Sequence, residues 1–485
     1  MLFQRKGSRP VSTIEAAPVS AGRSDWRRTL AFATVLAAFV LEVADATIVN
    51  TALPQIRRGL GAGDIAMQWI AAAYFLGLGS LLLIGGRLGD IFGYRRMFGI
   101  GIAAFVAASC LCGLSRTPDE LVAARLIQGA AGAMMAPQVM AIVQLLYSPL
   151  ERVARLAWFG VLGGLAAILG PVAGGLLIDA DVMGLGWRAI FLVNVPIGAA
   201  ALLAAWRFVP SLKSEATIRI DIVGAAIFMA GFAALLAALI EGPERGWPPL
   251  TIAALAAGAA LVAGGWFHAK AREAKLGSAV IATALFRLPT FFWGLVAVLA
   301  FSAASAGFLL IFAVALQQGL GFSALDTALA HIPFGLGVMA GISVIGRRWL
   351  PRLGRKLLVA GAMVLATAGF AVLTRVAGGQ AGDAATITLL AVAGLGMGML
   401  AGPLPPVIVA DVDRAQAGAA SATLKTAQQI GGAAGVALIG AAYFTAGDGA
   451  SARLAGLYPG GAAFVGLLGL AMLAALRLPA VIFKR

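Results

Sequence analysis

Apolar runs of about 20 residues recur along the whole chain and constrain its fold more than any other feature. A helix of that length crosses a hydrocarbon core about 30 Å thick. Inside lipid, a spanning segment must satisfy its own backbone hydrogen bonds, and a helix does so within one segment. We therefore expect an all-α polytopic membrane protein.

The composition supports this expectation and argues against an enzyme. Of 485 residues, 61% are hydrophobic and 12% are charged, roughly half the charged share of an average soluble protein. Two histidines and two cysteines provide little for a metal site or a disulfide framework. A membrane-embedded enzyme would need clustered histidines, metal-spaced acids or a nucleophile–base pair, and the sequence suggests none. We expect no cofactor.

Charge and proline clusters divide the apolar chain into fourteen predicted spans. They lie near 29–53, 67–86, 97–115, 119–146, 153–178, 187–209, 221–241, 249–269, 290–316, 323–346, 357–376, 384–409, 416–442 and 461–480. Most of the 36 lysines and arginines fall in alternate inter-span segments, which predicts that both termini are cytoplasmic. The same distribution indicates that the basic residues behind the net charge of +15 face anionic membrane lipid rather than nucleic acid.

Two inter-span loops resemble each other and indicate an internal repeat. Gly86 is followed nine residues later by Arg95, and Gly346 is followed nine residues later by Arg355. Such repeats allow transporters to alternate access between the two sides of a membrane. We expect two six-helix pseudo-symmetric bundles plus two inserted helices. The predicted divisions are an N-terminal cytoplasmic tail at 1–28, a first bundle at 29–209, a linker with the two extra helices at 210–289, a second bundle at 290–480 and a C-terminal cytoplasmic tail at 481–485.

The first of these loops, GGRLGDIFGYRR, places an aspartate and arginines among glycines. The glycines permit a tight turn and a close approach of helices. Asp90 can accept hydrogen bonds from loop amides or from the N-terminus of a neighbouring helix, or it can pair with a cation, for which the candidates are Arg95, Arg96 and Arg152. A cluster of this kind can hold two helices together in one conformation and release them in another. We expect a conformational latch formed by Gly86, Asp90, Gly93, Arg95 and Arg96; the alternative is a basic loop with an ordinary turn.

The loop resembles the signature of the major facilitator superfamily, and other stretches resemble its fourteen-helix drug:proton antiporter branch. They are EVADATIVNTALPQI at 42–56, RLIQGAAGA at 125–133, GGLAAILGPVAGG at 163–175, WRAIFLVNVPIG at 187–198 and GAASATLKTAQQIGGAAGVAL at 418–438. The resemblance implies that the loop aspartate and arginines control conformational exchange. It also implies that Asp45 and Arg125 take part in proton coupling or in the response to substrate.

Span 5 carries the stretch that resembles the antiport motif of that branch. Its core consists of Gly170, Pro171, Gly174 and Gly175. The glycines favour close packing against a neighbouring helix, and the proline removes one helical hydrogen bond. We expect a pliable seam here; the alternative is ordinary packing of membrane helices.

Span 1 contains two ionisable residues, Glu42 and Asp45, which are functional candidates because burying them is costly. They lie three residues apart, on one helix face. Arg125 lies at a depth similar to that of Asp45 by the helix rise, so we expect these two side chains to pair. Two neighbouring carboxylates in a low-dielectric cavity resist ionising together, which suits a proton carrier. The alternative is a static Asp45–Arg125 pair, with Glu42 facing a wet cavity.

Lys425 in span 13 is a third buried charge and a candidate residue of the substrate cavity. It can pair with Glu42, attract an anionic substrate, or extend toward the lipid headgroups. An unpaired lysine would oppose the lipophilic cations that many members of the resembled branch carry.

These features favour a proton-coupled efflux antiporter of the inner membrane that exports amphipathic drugs or related small molecules by alternating access. Its expected partners are the small-molecule substrate, protons and membrane lipid, without nucleic acid; a periplasmic adaptor is left open. One alternative is a dedicated exporter of a single endogenous metabolite or lipid-like compound. Another is a non-transporting sensor on the same fold, and a passive or symporting facilitator also fits the fold.

Overall fold

The structure is a computed structural model that describes residues 25–211, 220–277, 279–413 and 416–480. Within these ranges the regular structure is helical throughout, and thirteen helices are long and apolar enough to cross a membrane. The helix at predicted span 13, Ala417–Phe444, is not among the thirteen, although it packs against membrane-spanning neighbours. The all-α polytopic prediction is confirmed, and the number of fourteen spans stays a prediction. Residues 1–24 and the tail at 481–485 lie outside the described ranges.

Seven helices make up the first bundle. They are α1 Asp25–Leu60, α2 Asp64–Phe92, α3 Tyr94–Leu114, α4 Pro118–Leu146, α5 Pro149–Asp179, α6 Ala189–Leu192 and α7 Asn194–Phe208. The start of α4 shows how local sequence sets a boundary: the side chain of Thr117 accepts a hydrogen bond from the amide of Glu120, and Pro118 occupies the first helical position. Helices α6 and α7 together form predicted span 6.

The linker contains two helices that pack on each other, α8 Ile222–Glu244 and α9 Pro249–Leu276. Asp221 joins the start of α8 to the end of α9, because its carboxylate accepts hydrogen bonds from the amides of Gly224 and Val280 and lies 3.1 Å from Nε2 of His268. Burial alone would raise the pKa of Asp221, but these donors together hold the pKa below its usual value.

Ten helices make up the second bundle. They are α10 Pro289–Val314, α11 Ala324–Ala330, α12 Ile332–Ala340, α13 Arg347–Leu353, α14 Arg355–Ala377, α15 Ala384–Ala401, α16 Leu404–Ile408, α17 Ala417–Phe444, α18 Ala450–Ala455 and α19 Leu457–Leu476. Two of them continue into π-helical turns, α10 into Ala315–Gly319 and α12 into Gly341–Gly346. Predicted span 9 therefore consists of α10 and a π-helical turn, and predicted span 10 consists of α11, α12 and a π-helical turn, with a further break at His331.

The two bundles repeat the same packing. Helix α2 packs on α4 as α12 packs on α15, and both contacts require glycine. A β-carbon at Gly77 would collide with the carbonyl oxygen of Leu126, and one at Gly337 with that of Ala391. The repeated packing agrees with the repeat seen in the two loops, whereas the exact division at 29–209, 210–289 and 290–480 stays a prediction.

The two matching loops also make equivalent contacts. Arg95 donates to the carbonyl oxygen of Val209, just after the last helix of the first bundle, at 3.4 Å. Arg355 donates to the carbonyl oxygens of Leu476 and Leu478, at the end of the last helix of the second bundle, at 2.9 and 3.0 Å. An arginine at a helix C-terminus satisfies carbonyls that have no helical partner and complements the helix dipole. Each loop therefore ties two helices of its own bundle.

The bundles meet along α2 with α17 and along α5 with α11 and α12. We define the outer end as the end with the α1–α2 turn, residues 57–64, which the charge pattern predicts to be outside. The hydrogen bonds and ion pairs between bundles that the described residues form lie at this end and near the middle. Helix α8 packs on both α2 and α17, so the inserted pair lies across the seam between the bundles.

Candidate functional site

The predicted pair of Asp45 and Arg125 is present in the interior of the first bundle. Nη1 of Arg125 donates to Oδ2 of Asp45 at 2.6 Å, and both side chains are at most 1% exposed. Helices α1 and α4 bring the two residues to the same depth, as the helix rise predicted. A buried ion pair with this geometry is charge-balanced.

Two amide side chains that were not among the predicted site residues complete the surroundings of Asp45. Nε2 of Gln128 and Nδ2 of Asn194 donate to its Oδ1 atom at 2.9 and 2.7 Å. Both amides also reach Oγ of Ser109, at 2.9 and 3.3 Å. The side chains come from α1, α3, α4 and α7, so this network ties four helices of one bundle. Both amides are polar side chains inside apolar spans, and this is the feature of the sequence that could have indicated them.

Arg125 is equally well satisfied. It donates to Oε1 of Gln128 at 2.6 Å and to the carbonyl oxygen of Ile70 at 3.4 Å. Its guanidinium lies 4.4 Å from the ring centroid of Tyr74, a favourable cation–π contact. We call Asp45, Arg125, Gln128, Asn194 and Ser109 the inner network.

Glu42 has a different environment, although it lies on the same helix three residues before Asp45. Nζ of Lys425 donates to its Oε1 atom at 3.2 Å, while the buried Oε2 atom has no hydrogen-bond partner among the described residues. The Glu42 side chain is 6% exposed and that of Lys425 is 32% exposed. Of the three predictions for Lys425, pairing with Glu42 is the one that the structure contains. The pair joins α1 of the first bundle to α17 of the second.

The two carboxylates of span 1 therefore do not share a partner. Asp45 faces a cation of its own bundle, and Glu42 faces a cation of the other bundle. In this conformation each carboxylate is neutralised by its own cation. This differs from the expectation that the two neighbouring carboxylates resist ionising together.

A second group of charges joins the bundles at the outer end. Arg57 and Asp64 belong to the first bundle, and Asp448 and Arg453 to the second. Nη2 of Arg57 lies 2.7 Å from Oδ1 of Asp448, and Nη2 of Arg453 lies 2.7 Å from Oδ1 of Asp64. Arg57 also pairs with Asp64, and Arg453 with Asp448 at 2.6 Å. We call these four residues the outer ring.

The outer ring closes the seam at one end of the molecule. Arg453 is 2% exposed and Asp448 is 74% exposed, so the ring runs from the protein interior to the surface. The hydrogen bond from Arg57 is the main reason that the pKa of Asp448 lies below its usual value. Just inside, Nε2 of Gln317 donates to the carbonyl oxygen of Thr51 at 2.8 Å, again between bundles. The outer end is closed in this structure.

The predicted latch lies within the first bundle here. Asp90 accepts a hydrogen bond from the hydroxyl of Tyr94 at 2.7 Å, and the expected ion pairs with Arg95, Arg96 or Arg152 are not among those of the described residues. Arg152 donates to the carbonyl oxygen of Tyr147 at 2.8 Å instead. The pairing expectation is wrong for this conformation, because each arginine either satisfies backbone carbonyls or, like Arg96, is exposed.

The glycines of the loop have distinct roles. Gly93 has a φ of 92° between α2 and α3, a backbone conformation that favours glycine. A β-carbon at Gly85 would collide with the carbonyl of Ala133, whereas one at Gly86 would make an ordinary contact 3.6 Å from Pro137. The close helix approach therefore requires Gly85, which was not among the predicted latch residues, rather than Gly86.

The predicted span 5 motif lies at two different interfaces. A β-carbon at Gly170 would lie 2.9 Å from the carbonyl oxygen of Ala44, against α1 of the same bundle. One at Gly175 would lie 2.8 Å from the carbonyl oxygen of Ala324, against α11 of the other bundle. One at Gly174 would lie 2.6 Å from Cγ1 of Ile48, and α5 continues through Pro171. The motif thus contacts both bundles.

Comparison with known proteins places these features in a family. Residues 34–436 match the Major Facilitator Superfamily. The chain is 39% identical over 421 residues to a protein named Probable actinorhodin transporter from Streptomyces coelicolor, covering 86% of this chain and 73% of the relative. It is 36% identical over 434 residues to Puromycin resistance protein pur8 from Streptomyces alboniger, covering 88% and 84%.

A solved structure shows the same fold. A bacterial homologue of the human lysosomal transporter Spinster, in an inward-facing and unoccupied conformation, superposes with a TM-score of 0.64. The match covers 95% of this chain and 99% of that one at 16% sequence identity. Sequence match, relatives and fold agree that this multi-pass membrane protein, a transporter rather than an enzyme, belongs to the Major Facilitator Superfamily.

Proposed function

We propose that the protein is a proton-coupled exporter of small molecules in the bacterial inner membrane. Its partners would be the exported compound, protons and the surrounding lipid, with no cofactor beyond the proton gradient. Two relatives bear names that describe an actinorhodin transporter and a puromycin resistance protein, and these names support export. The contacts of Glu42 are the observation on which the proton coupling rests.

Glu42 is placed to exchange a proton between the bundles. Its only cationic partner among the described residues is Lys425, and its second oxygen has no hydrogen bond. Protonation of Glu42 removes the charge that holds Lys425, so it releases a tie between α1 and α17. Loss of the proton restores the tie. A carboxylate whose charge state controls a contact between two moving bodies can couple proton movement to their rearrangement.

Asp45 and Arg125 contribute to proton coupling because they hold α1, and with it Glu42, in place. The inner network fixes α1 against three other helices of the first bundle, and this fixes Glu42 relative to that bundle. When the bundles rock, Lys425 must then move relative to Glu42, because α1 cannot follow α17.

The outer ring would close the exit while the compound enters from the cytoplasm. Opening the ring separates Arg57 and Asp64 from Asp448 and Arg453, and the motif at Gly170, Pro171, Gly174 and Gly175 would let α5 shift against α1 and α11. We propose that the latch residues Asp90, Arg95 and Arg96 form contacts between bundles only in the opposite, outward-open conformation.

One relative's name also favours a narrower function. A protein named for a single compound, actinorhodin, suggests an exporter dedicated to one endogenous compound rather than to many drugs. Both functions use the same proton-coupled cycle.

The test is transport by the purified protein in proteoliposomes that contain a pH-sensitive dye. Amphipathic cations, zwitterions and anions are added in turn, and compound-dependent proton flux is measured. We expect flux in the wild type and its loss, by more than tenfold, in Glu42→Gln and in Asp45→Asn. Glu241→Gln, an acid-to-amide change in α8 outside the site, is the matched control. Full flux in folded Glu42→Gln protein would overturn the proposal.

A further inference from the structure

We infer that the exported compounds carry a zwitterionic head group, with an ammonium and a carboxylate close together, that replaces both members of the Glu42–Lys425 pair. The inference rests on the proposed function and adds the substrate class. It follows from the atoms of the pair that have no hydrogen-bond partner, and from the free energy needed to separate Glu42 from Lys425.

The pair offers one acceptor and two donors that the described residues do not use. Oε2 of Glu42 is buried without a hydrogen bond, and Lys425 makes one hydrogen bond, to Oε1 of Glu42, although an ammonium has three donors. A buried carboxylate oxygen without a donor is costly. A ligand that donates to Glu42 and accepts from Lys425 at neighbouring positions would satisfy both.

The other carboxylate of α1 cannot take this role. Asp45 already accepts hydrogen bonds from Arg125, Gln128 and Asn194, and its side chain is fully buried among these partners of the first bundle. Glu42 is therefore the carboxylate of span 1 that a ligand between the bundles can reach.

The expected charge of the ligand follows from which charge of the Glu42–Lys425 pair each class of ligand leaves without a partner. A cation that binds Glu42 displaces Lys425, and an anion that binds Lys425 displaces Glu42. Either ligand leaves one charge of the pair without a partner, which is strongly unfavourable in a low-dielectric site. A zwitterion replaces both partners at once and leaves no unpaired charge.

The two singly charged classes are not equivalent. Glu42 is the more buried partner, at 6% exposure against 32% for Lys425. An anion would leave the buried carboxylate unpaired, whereas a cation would leave the partly solvated ammonium unpaired. The expected order of affinity is zwitterion, then cation, then anion.

The same geometry explains how exchange is enforced. In the unloaded protein the ion pair joins α1 directly to α17. A proton on Glu42 removes the charge that holds Lys425, and a zwitterion puts its own head group between the two side chains. In both loaded forms the direct pair is absent, and we expect only these forms to rearrange, which is the condition for exchange of one cargo for the other.

The experiment compares four probes that share a naphthyl body and differ in head group. They are 3-(2-naphthyl)alanine, 2-(2-naphthyl)ethylamine, 3-(2-naphthyl)propionate and 3-(2-naphthyl)propionamide. Binding to the purified full-length protein in detergent is followed by probe fluorescence at pH 7. We expect the zwitterion to bind at least tenfold more tightly than the amine, and the amine more tightly than the carboxylate.

Two variants should invert the preference. In Lys425→Met the amine should bind best, because Glu42 then lacks a cation. In Glu42→Gln the carboxylate should bind best, because Lys425 then lacks an anion. Glu241→Gln should keep the wild-type order. Binding that does not favour the zwitterion in the wild type, or an order that neither variant changes, overturns the inference.

Proton flux separates this inference from the proposed function. If the zwitterion binds best but no probe drives protons in proteoliposomes, the exporter proposal fails and the head-group assignment stands. If singly charged probes drive protons and the zwitterion does not, the exporter proposal stands and the head-group assignment fails.

Discussion

Two kinds of charge pair occur in this protein, one inside a bundle and one between bundles. Asp45 and Arg125 are almost completely buried, belong to the same bundle and have additional hydrogen bonds from neighbouring side chains. Glu42 with Lys425, and the four residues of the outer ring, join different bundles and include partners that are 32% and 74% exposed. The difference suggests that the first kind stabilises a bundle, whereas the second kind selects how two bundles meet.

Physical chemistry supports this division. Removing one partner of a buried pair leaves an uncompensated charge and costs about 3–5 kcal/mol. Pairs that water reaches contribute about 0–1 kcal/mol, which suffices to bias two conformations of similar free energy. The inner network should therefore control unfolding, and the pairs between bundles should control which end is open.

The largest effect is expected for Arg125→Met, which leaves Asp45 buried without a cation. The free energy of unfolding should fall by about 3–5 kcal/mol, measured as loss of folded protein on heating in detergent. The double variant Asp45→Asn/Arg125→Met should recover most of this loss, because no buried charge remains. Glu42→Gln is the comparison between bundles: it leaves the partly exposed Lys425 unpaired and should leave thermal stability within about 1 kcal/mol. Equal losses for Arg125→Met and Glu42→Gln would remove the distinction.

Asp64→Asn should open the outer end without unfolding the protein. The change removes the anion that bridges Arg57 and Arg453, and Arg453 is 2% exposed. A reporter cysteine at Thr51, which is buried beneath the ring, detects opening by its reaction with a membrane-impermeant thiol reagent. We expect labelling to rise about tenfold in a background with Cys110→Ala and Cys112→Ala. Unchanged labelling with intact folding would show that the ring does not hold the outer end closed.

Asn194→Leu removes one hydrogen bond of the inner network and should therefore destabilise the protein less than Arg125→Met. It removes one of two amide donors to Oδ1 of Asp45, while Gln128 still donates to that atom. The loss of one hydrogen bond to a charged group should cost about 1.5–3 kcal/mol of unfolding free energy. Labelling of Thr51→Cys should stay at the parent level, since the network lies within one bundle. A rise in labelling without loss of stability would contradict this assignment.

The smallest effect is expected for Asp448→Asn, because Asp448 is the most exposed member of the ring. Labelling at Thr51→Cys should rise by no more than a few-fold. Pairing lowers the pKa of Asp448. Its charge therefore stabilises the closed outer end fully at pH values above the ordinary carboxyl pKa of about 4. This stabilisation is lost as pH falls through the lowered pKa. External acid should therefore increase labelling in the parent protein, and increase it less in the variant. The same acid response in both would exclude Asp448 as its source.

Much of the fold was predictable because the signals are local. Hydropathy marks the spans directly, and the helix rise placed Asp45 and Arg125 at one depth without knowledge of the packing. The two matching loops, with Arg95 and Arg355 at equal offsets, indicated the repeat. The amides Gln128 and Asn194 carried a signal that was present but not used: each is a polar side chain inside an apolar span.

The contacts between bundles could not be predicted in the same way. Asp64 and Arg453 lie 389 residues apart in the chain, and their contact depends on how the two bundles close against each other. Arg57 and Arg453 lie in segments that the charge pattern predicts to be outside, where basic residues are few, and the structure shows that both are paired with acids. The pairs expected for Asp90 failed for a related reason: a local loop sequence does not state which conformation is populated.

The pairing of charges near the middle of the membrane also determines how voltage acts on this protein. Asp45 cancels Arg125 and Glu42 cancels Lys425, so the unloaded protein has almost no net charge at this depth on which the electric field can act. The field performs about 2.3 kcal/mol of work on each elementary charge that crosses 100 mV. That work is then available to the cargo alone: exchange of one proton for one zwitterion moves one charge inward, and a voltage step applied without cargo should produce almost no current.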